Sequence, residues 1–411
     1  MNSDTSNTVA YIGTYPPTEC GLATFLLDLV NATDLGGSYS IVIPVADDEP
    51  DFNDHKVVFT ISKDNIADYG VAAGIVNTSA ALCCIQHEYG IYGGEDGRYI
   101  LDFVERLKLP LIVTLHTVLP EPSPSQRSIL LALAEKAAGI VVMAEKGVEL
   151  LKAYGVDPAK IHMIPHGAPN VIPGTELSVK TSLGLADRMV ISTFGLISPS
   201  KGIEDAIAAM PAVVAQEPNA VYYVLGQTHP QIKRRNGEEY RESLVAQVKR
   251  LGLEEHVRFV DKYLSTQELV NWLMATDIYV TPYYSNPHQI TSGTLAYAMA
   301  AAKVIVSTPY TYAQELLADG RGFLYPFRRS DVLAETIVRL CEDRPLYEAT
   351  KAKAFAYGRG MTWPRVGLLY LELFAAVRRR RWSVPASIAE SMALFDAPFE
   401  EADQTELDAA T

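Results

Sequence analysis

The sequence predicts an α/β protein made of two doubly wound parallel-sheet domains that face each other across a cleft. Three observations carry this prediction. Short, continuously apolar runs recur along the chain, and the stretches between them have helical spacing. At 411 residues the chain is also too long for one ordinary core.

In the first half the apolar runs are residues 9–13, 41–45, 57–61, 81–86, 111–116, 139–143 and 161–166. In the second half they are 189–194, 221–225, 257–260, 278–281 and 304–307. None alternates polar with apolar, which is the pattern of strands buried on both faces of a parallel sheet. Between them Ser265-Thr-Gln-Glu268 opens an apolar helical stretch, and the spacing of Ser265 and Glu268 predicts a capping box. The alternation is interrupted at residues 169–187 by Pro, Gly and polar residues, which marks a domain boundary. The expected organisation is therefore two Rossmann-like domains, residues 1–180 and 181–360, with the ligand cleft between them. A C-terminal helical segment at 361–382 follows, with amphipathic spacing from Trp363 to Arg378, and then an acidic, Ala-rich and mobile tail at 383–411.

Lys and Arg total 35 against 49 Asp and Glu, a net charge of −14, which argues against nucleic acid as a partner. The first residues lack the charged and apolar regions of a secretory signal. No apolar run has the ~20 residues of a membrane span. Cys20, Cys83, Cys84 and Cys341 form no Cys-x-x-Cys pair and are expected as reduced thiols in packing roles. A cytoplasmic location is the expectation.

Several segments have the composition of ligand loops at strand ends. Gly21 follows the Pro-rich turn after the first strand, where backbone N–H groups at a helix start can meet a ligand or simply make a tight turn. His87 with Glu88, His116 and His166 each sit at or just past a strand's carboxyl end, the edge where open α/β sheets bind ligands. Glu88 is a candidate acid or base. In the second half Gly195 ends a strand and Lys201 stands just before a helix start, an arrangement that suits a phosphate. Ser292, Gly293 and Thr294 open a further helix with hydroxyl and backbone donors. Two such helix starts can hold a diphosphate. The arginine run Arg378, Arg379, Arg380 and Arg381 reads either as a solvated helix end complementing the dipole or as a weak membrane-surface contact.

Together these segments resemble the retaining glycosyltransferases of family 4, which have the GT-B fold. The carriers are "GLATF" (21–25), "VTLHT" (113–117), "IPHGAPN" (164–170), "FGLISPSKGIEDAI" (194–207), "LSTQELVNWLMATDIYVTPY" (264–283) and "HQITSGTLAYAMAAAKVIVSTPYTYAQELLADGRGFL" (288–324). The resemblance implies a metal-independent hexosyltransferase with no cofactor. It implies as donor a nucleotide diphosphate sugar, such as a UDP- or GDP-hexose, and as acceptor a glycan, lipid-linked or small molecule. By the same resemblance Lys201 is the diphosphate lysine, His116 supports the reacting sugar, and the final helix crosses back onto the first domain.

The chain departs from the family pattern at three positions. Leu196 stands where the family has an arginine, and Gln289 and Tyr297 stand where it has two glutamates, one near the reacting sugar and one on the nucleotide ribose. Gln289 can still bond a sugar hydroxyl and Tyr297 can stack on or bond the nucleotide, but neither is a carboxylate base. Glu315 is an acidic alternative for ribose or base contact, or a plain surface residue. Because of these departures a glycoside phosphorylase, a non-catalytic GT-B protein binding nucleotide or glycan, and a nucleotide-sugar epimerase stay open beside the glycosyltransferase.

Overall fold

The computed structural model describes residues 5–47, 50–284 and 291–378. The acidic tail at 383–411, Arg379 to Arg381 and Gln289 lie outside the described residues.

Two wholly parallel sheets organise the chain. The first has seven strands: β1 (Thr8–Gly13), β2 (Tyr39–Ala46), β3 (Ile61–Ser62), β4 (Leu82–His87), β5 (Leu111–Leu115), β6 (Gly139–Val142) and β7 (Ile161–Met163). Their order is β3-β2-β1-β4-β5-β6-β7. The second has six: β8 (Met189–Phe194), β9 (Ala220–Leu225), β10 (Val257–Val260), β11 (Ile278–Thr281), β12 (Val304–Ser307) and β13 (Phe323–Leu324), in the order β10-β9-β8-β11-β12-β13. In each sheet the chain first builds outward from one central strand and then returns to build the other way. That reversal falls between β1 and β4 in the first sheet and between β8 and β11 in the second, and such a switch point leaves a crevice at the strands' carboxyl ends.

The apolar runs form strands because helices cover both sheet faces. Val9, Ala10, Tyr11 and Ile12 are all fully buried, with no side of β1 left to water. Two expectations need correction. The run 57–61 is mostly not strand: Val57 makes a single bridge to Val42, and only Ile61 and Ser62 pair, with Val45 and Ala46, at the sheet's edge. The run 161–166 pairs only through Met163, so His166 lies on the connection beyond β7. β13, two residues long, is too short to leave a periodic signal. The capping box at Ser265 and Glu268 forms as the spacing predicts. The cysteines are free, with Cys83 and Cys84 buried, and Cys20 caps the helix Gly21–Leu35 by accepting from the Ala23 N–H through its sulfur.

The connection between the sheets includes a short helix, Glu176–Ser182. It runs beside the returning chain: the Ala168 N–H donates to the Met361 carbonyl at 2.8 Å and the Trp363 N–H to the Ala168 carbonyl at 2.9 Å. The final helix, Trp363–Arg378, then packs on the first domain. Its Val366, Tyr370, Leu371 and Phe374 share one core with Val9, Tyr11 and Leu29. The Tyr370 and Thr114 hydroxyls bond at 3.0 Å. No helix among the described residues is long and apolar enough to cross a membrane.

Because Phe374 is fully buried against Tyr11 and Tyr370, Phe374→Ala is expected to cost about 3–5 kcal/mol. Urea unfolding followed by fluorescence checks this. An unmoved midpoint would mean that the final helix does not support the first domain.

Candidate active site

The carboxyl ends of the central strands of both sheets open on one cleft of about 670 Å³ between the domains. On the second-domain side, the loop after β8 passes through Gly195 to a tight turn, Pro199–Lys201, and enters the helix Ile203–Gln216. Gly202 has a left-handed φ of 59°, and a Cβ there would lie 2.1 Å from the Pro282 carbonyl oxygen. Only glycine allows this approach, which holds Lys201 against the loop following β11.

Lys201 lies with its Nζ 3.9 Å from the centre of the Tyr283 ring. No carboxylate pairs with it among the described residues, and burial lowers its pKa to about 8. A desolvated ammonium over an aromatic face gains about 2 kcal/mol from the ring quadrupole, but that does not neutralise its charge. Tyr283 in turn stacks on Tyr310 with ring centres 5.5 Å apart. Its hydroxyl bonds Thr294 at 3.0 Å, and Thr294 bonds the Ser292 hydroxyl at 3.1 Å. Ser292 is the N-cap of the helix Gly293–Ala300 and accepts from the Leu295 N–H. Tyr283 thus ties the cation to the positive end of a helix, and both face the same space.

The first domain closes the other side. The His116 Nε2 lies 2.9 Å from the Gln86 side-chain oxygen. Burial, with smaller contributions from His166 and His87, lowers its pKa to about 3. Burial lowers that of His166 to about 4. Both imidazoles are therefore neutral at pH 7. The His166 Nδ1–H donates to the Gly167 carbonyl at 2.7 Å, which leaves Nε2 as the lone-pair nitrogen. That nitrogen points at the start of the second-domain helix, where a Cβ on Gly293 would sit 2.9 Å from it. Phe25 stands edge-on to both histidine rings, with centroids at 4.8 and 5.0 Å. Glu88 also lines the cleft, held by the Thr117 hydroxyl and by the Tyr89 N–H at 3.0 Å.

Direct bonds cross between the domains. Thr291 donates to the His116 carbonyl at 2.9 Å, Gln227 donates to Glu19 at 2.8 Å, and the Thr24 and Tyr263 hydroxyls lie 3.2 Å apart. The Tyr297 hydroxyl donates to Asp28 at 3.3 Å, and burial raises the Asp28 carboxyl to about 6.

Of the residues singled out from the sequence, Gly21, His116, Gly195, Lys201, Gly293, Thr294 and Tyr297 line this cleft. Ser292 stands just beneath, buried as the helix cap. Glu315 is elsewhere. Its carboxylate accepts the backbone N–H groups of Glu145, at 2.8 Å, and Lys146, at the start of the first-domain helix Glu145–Ala153. His87 is fully buried between Tyr89 and Tyr92 and does not line the cleft. Sequence reading missed Tyr283 and Thr117. Tyr283 lies two residues past a buried strand, where an aromatic reads as packing. Thr117 follows His116 and had a signal available, its place one residue beyond a strand-end histidine.

Residues 188–343 match the family described as "Glycosyl transferases group 1". Among curated proteins, the D-inositol 3-phosphate glycosyltransferase of Kribbella flavida is 24% identical over 280 residues, 63% of this chain and 64% of that protein. The chain therefore spans slightly under two thirds of that relative's length. The protein of the same name from Rhodococcus jostii is 24% identical over 341 residues, 77% of this chain and 73% of the relative. Among solved structures, Anabaena HepE in complex with UDP and glucose superposes with a TM-score of 0.69 at 18% identity, covering 90% of this chain and 99% of that one. Sucrose-phosphate synthase from Thermosynechococcus elongatus gives 0.72 at 19% identity, covering 90% and 100%. The family match is thus confined to residues 188–343, and the chain's two parallel-sheet domains have the GT-B fold.

Proposed function

We propose that the protein is a retaining, metal-independent glycosyltransferase of the cytoplasm that takes its sugar from a nucleotide diphosphate donor. The observation that carries this reading is Lys201: a desolvated ammonium without a carboxylate partner among the described residues, facing a helix start in the cleft between two domains. A cation placed so has its counter-charge supplied by a ligand, and the adjoining helix N-terminus favours a phosphate. The names of the relatives agree with glycosyl transfer, and HepE, of the same fold, was solved with UDP.

In this reading Lys201 and the N–H groups at Gly293 and Thr294 hold the diphosphate and take up the charge that grows on it as the bond to the sugar breaks. The acceptor oxygen bonds to the anomeric carbon on the face that the diphosphate leaves, and the acceptor's proton passes to the departing diphosphate. No side-chain carboxylate is then required as base, which fits Gln289 and Tyr297 at the family's glutamate positions. Neutral His116 and His166 bound the sugar's side of the cleft without opposing the positive charge that develops on the ring. Gly21 and Gly195 let backbone approach the donor closely. A second reading, a nucleotide-binding protein without turnover, draws on Tyr297, whose hydroxyl is already engaged by Asp28.

Stabilisation of the protein by one of UDP, GDP and ADP in a thermal-shift series tests the donor site. At a ligand concentration about 100 times Kd the gain is roughly 2.7 kcal/mol. Lys201→Ala is expected to abolish that gain and to lower kcat/KM by roughly 10²–10³, with the circular dichroism spectrum unchanged. Near-normal activity in the variant would remove Lys201 from the site.

The direction of the Lys201 shift gives a second test. The free ammonium loses its proton as pH rises through about 8, and a bound diphosphate raises that pKa again. Binding at pH 9 is therefore expected to take up as much as about one proton, read by calorimetry in buffers of different ionisation heat. Lys201→Met should take up none. Equal proton uptake by the two proteins would contradict the assignment.

A further inference from the structure

The two walls of the cleft differ in charge. Both lysines that line it, Lys201 and Lys262, come from the second domain, and Lys262 is already paired with Glu268. The first-domain wall offers the hydroxyls of Thr24 and Thr117, the neutral imidazoles of His116 and His166, and Glu88. Among the described residues that wall has no Lys or Arg, and Glu88 is the only acidic side chain lining the cleft at all. Neither segment 48–49 nor segment 285–290 contains a basic residue other than His288. Arg378 ends the final helix about 22 Å, at 1.5 Å per residue, from Trp363, the end that touches Phe25 beside the cleft.

Glu88 is held in place at the cleft wall. Its two oxygens accept from the Tyr89 N–H and the Thr117 hydroxyl, which fixes the carboxylate and leaves a second lone pair on each oxygen. Beyond these two bonds the carboxylate makes no ion pair among the described residues. Burial raises its pKa, while the bonds from Thr117 and Tyr89 lower it. In either protonation state it bonds hydroxyl groups well and offers no counter-charge to a phosphate.

We infer, resting on the glycosyltransferase reading, that the acceptor is a neutral polyol or sugar bound through its hydroxyls by Glu88, and not a phosphorylated one. The curated relatives named for D-inositol 3-phosphate would then differ from this chain in acceptor class. Glu88 acts as an acceptor-binding residue beside His116 and Thr117, while the second domain keeps the unpaired Lys201 for the donor. The cleft so divided puts the anionic substrate on one wall and the neutral one on the other.

The test uses the purified full chain with UDP-glucose, UDP-N-acetylglucosamine, GDP-mannose and ADP-glucose. Acceptors are offered in matched pairs, myo-inositol with D-inositol 3-phosphate and glucose and fructose with their 6-phosphates, and products are weighed by mass spectrometry. The expected result is transfer to a neutral member, with kcat/KM at least tenfold above its phosphorylated partner. Glu88→Gln keeps the bonds to Thr117 and Tyr89 within reach, so it should fold. It is expected to raise the acceptor KM about tenfold while leaving the donor KM and nucleotide binding in place, and Glu88→Lys should shift preference toward the phosphorylated members. Preference for phosphorylated acceptors, an unchanged acceptor KM in Glu88→Gln, or no neutral product while a nucleotide still binds would overturn the inference. Failure of every nucleotide to bind would instead overturn the donor site on which it rests.

Discussion

An ammonium taken out of water, with no carboxylate beside it among the described residues, sets the terms for the second domain. Lys201 keeps that position because Gly202 lets its loop close onto the Pro282 carbonyl and because the Tyr283 ring provides a polarisable surface for the charge. Tyr283 passes the constraint on: its hydroxyl orders Thr294, which orders Ser292, which caps the helix. Cation and helix start are thus fixed relative to each other before any ligand arrives. Such preorganisation lets a binding site stabilise charge without having to rearrange.

The first domain answers that arrangement from across the cleft. Gly293 has no side chain, so His166 approaches the helix start closely, and Phe25 holds His166 and His116 in one edge-on cluster. The same cluster reaches the final helix through Trp363, whose ring also stands edge-on to Phe25 at 5.1 Å. Packing that stabilises the first domain therefore continues into the groups lining the cleft. A change in how the final helix seats would be felt at the histidines without any direct contact to a ligand.

Much of this was legible in the sequence, for physical reasons. Strands such as β1, β4 and β8 announce themselves because burial on both faces forbids polar alternation. Lys201 and the helix start at Ser292 to Thr294 were readable because loops and helix starts follow strands locally. Glu315 was not, since its partners lie 170 residues away at Glu145 and no local pattern encodes such a contact. Tyr283 escaped notice because in a buried stretch an aromatic ring that carries a cation looks the same as one that fills space. Residues 57–61 have strand composition, but at a sheet edge only part of the run finds a partner.

The donor site is tested most directly by a structure of the protein with the nucleoside diphosphate that binds it. The terminal phosphate is expected within hydrogen-bond distance of the Lys201 ammonium and of the backbone N–H groups at Gly293 and Thr294, with the first-domain wall near Glu88 left free. A diphosphate seated elsewhere in the cleft, or held by the first domain with Lys201 still over the Tyr283 ring and untouched, would contradict it.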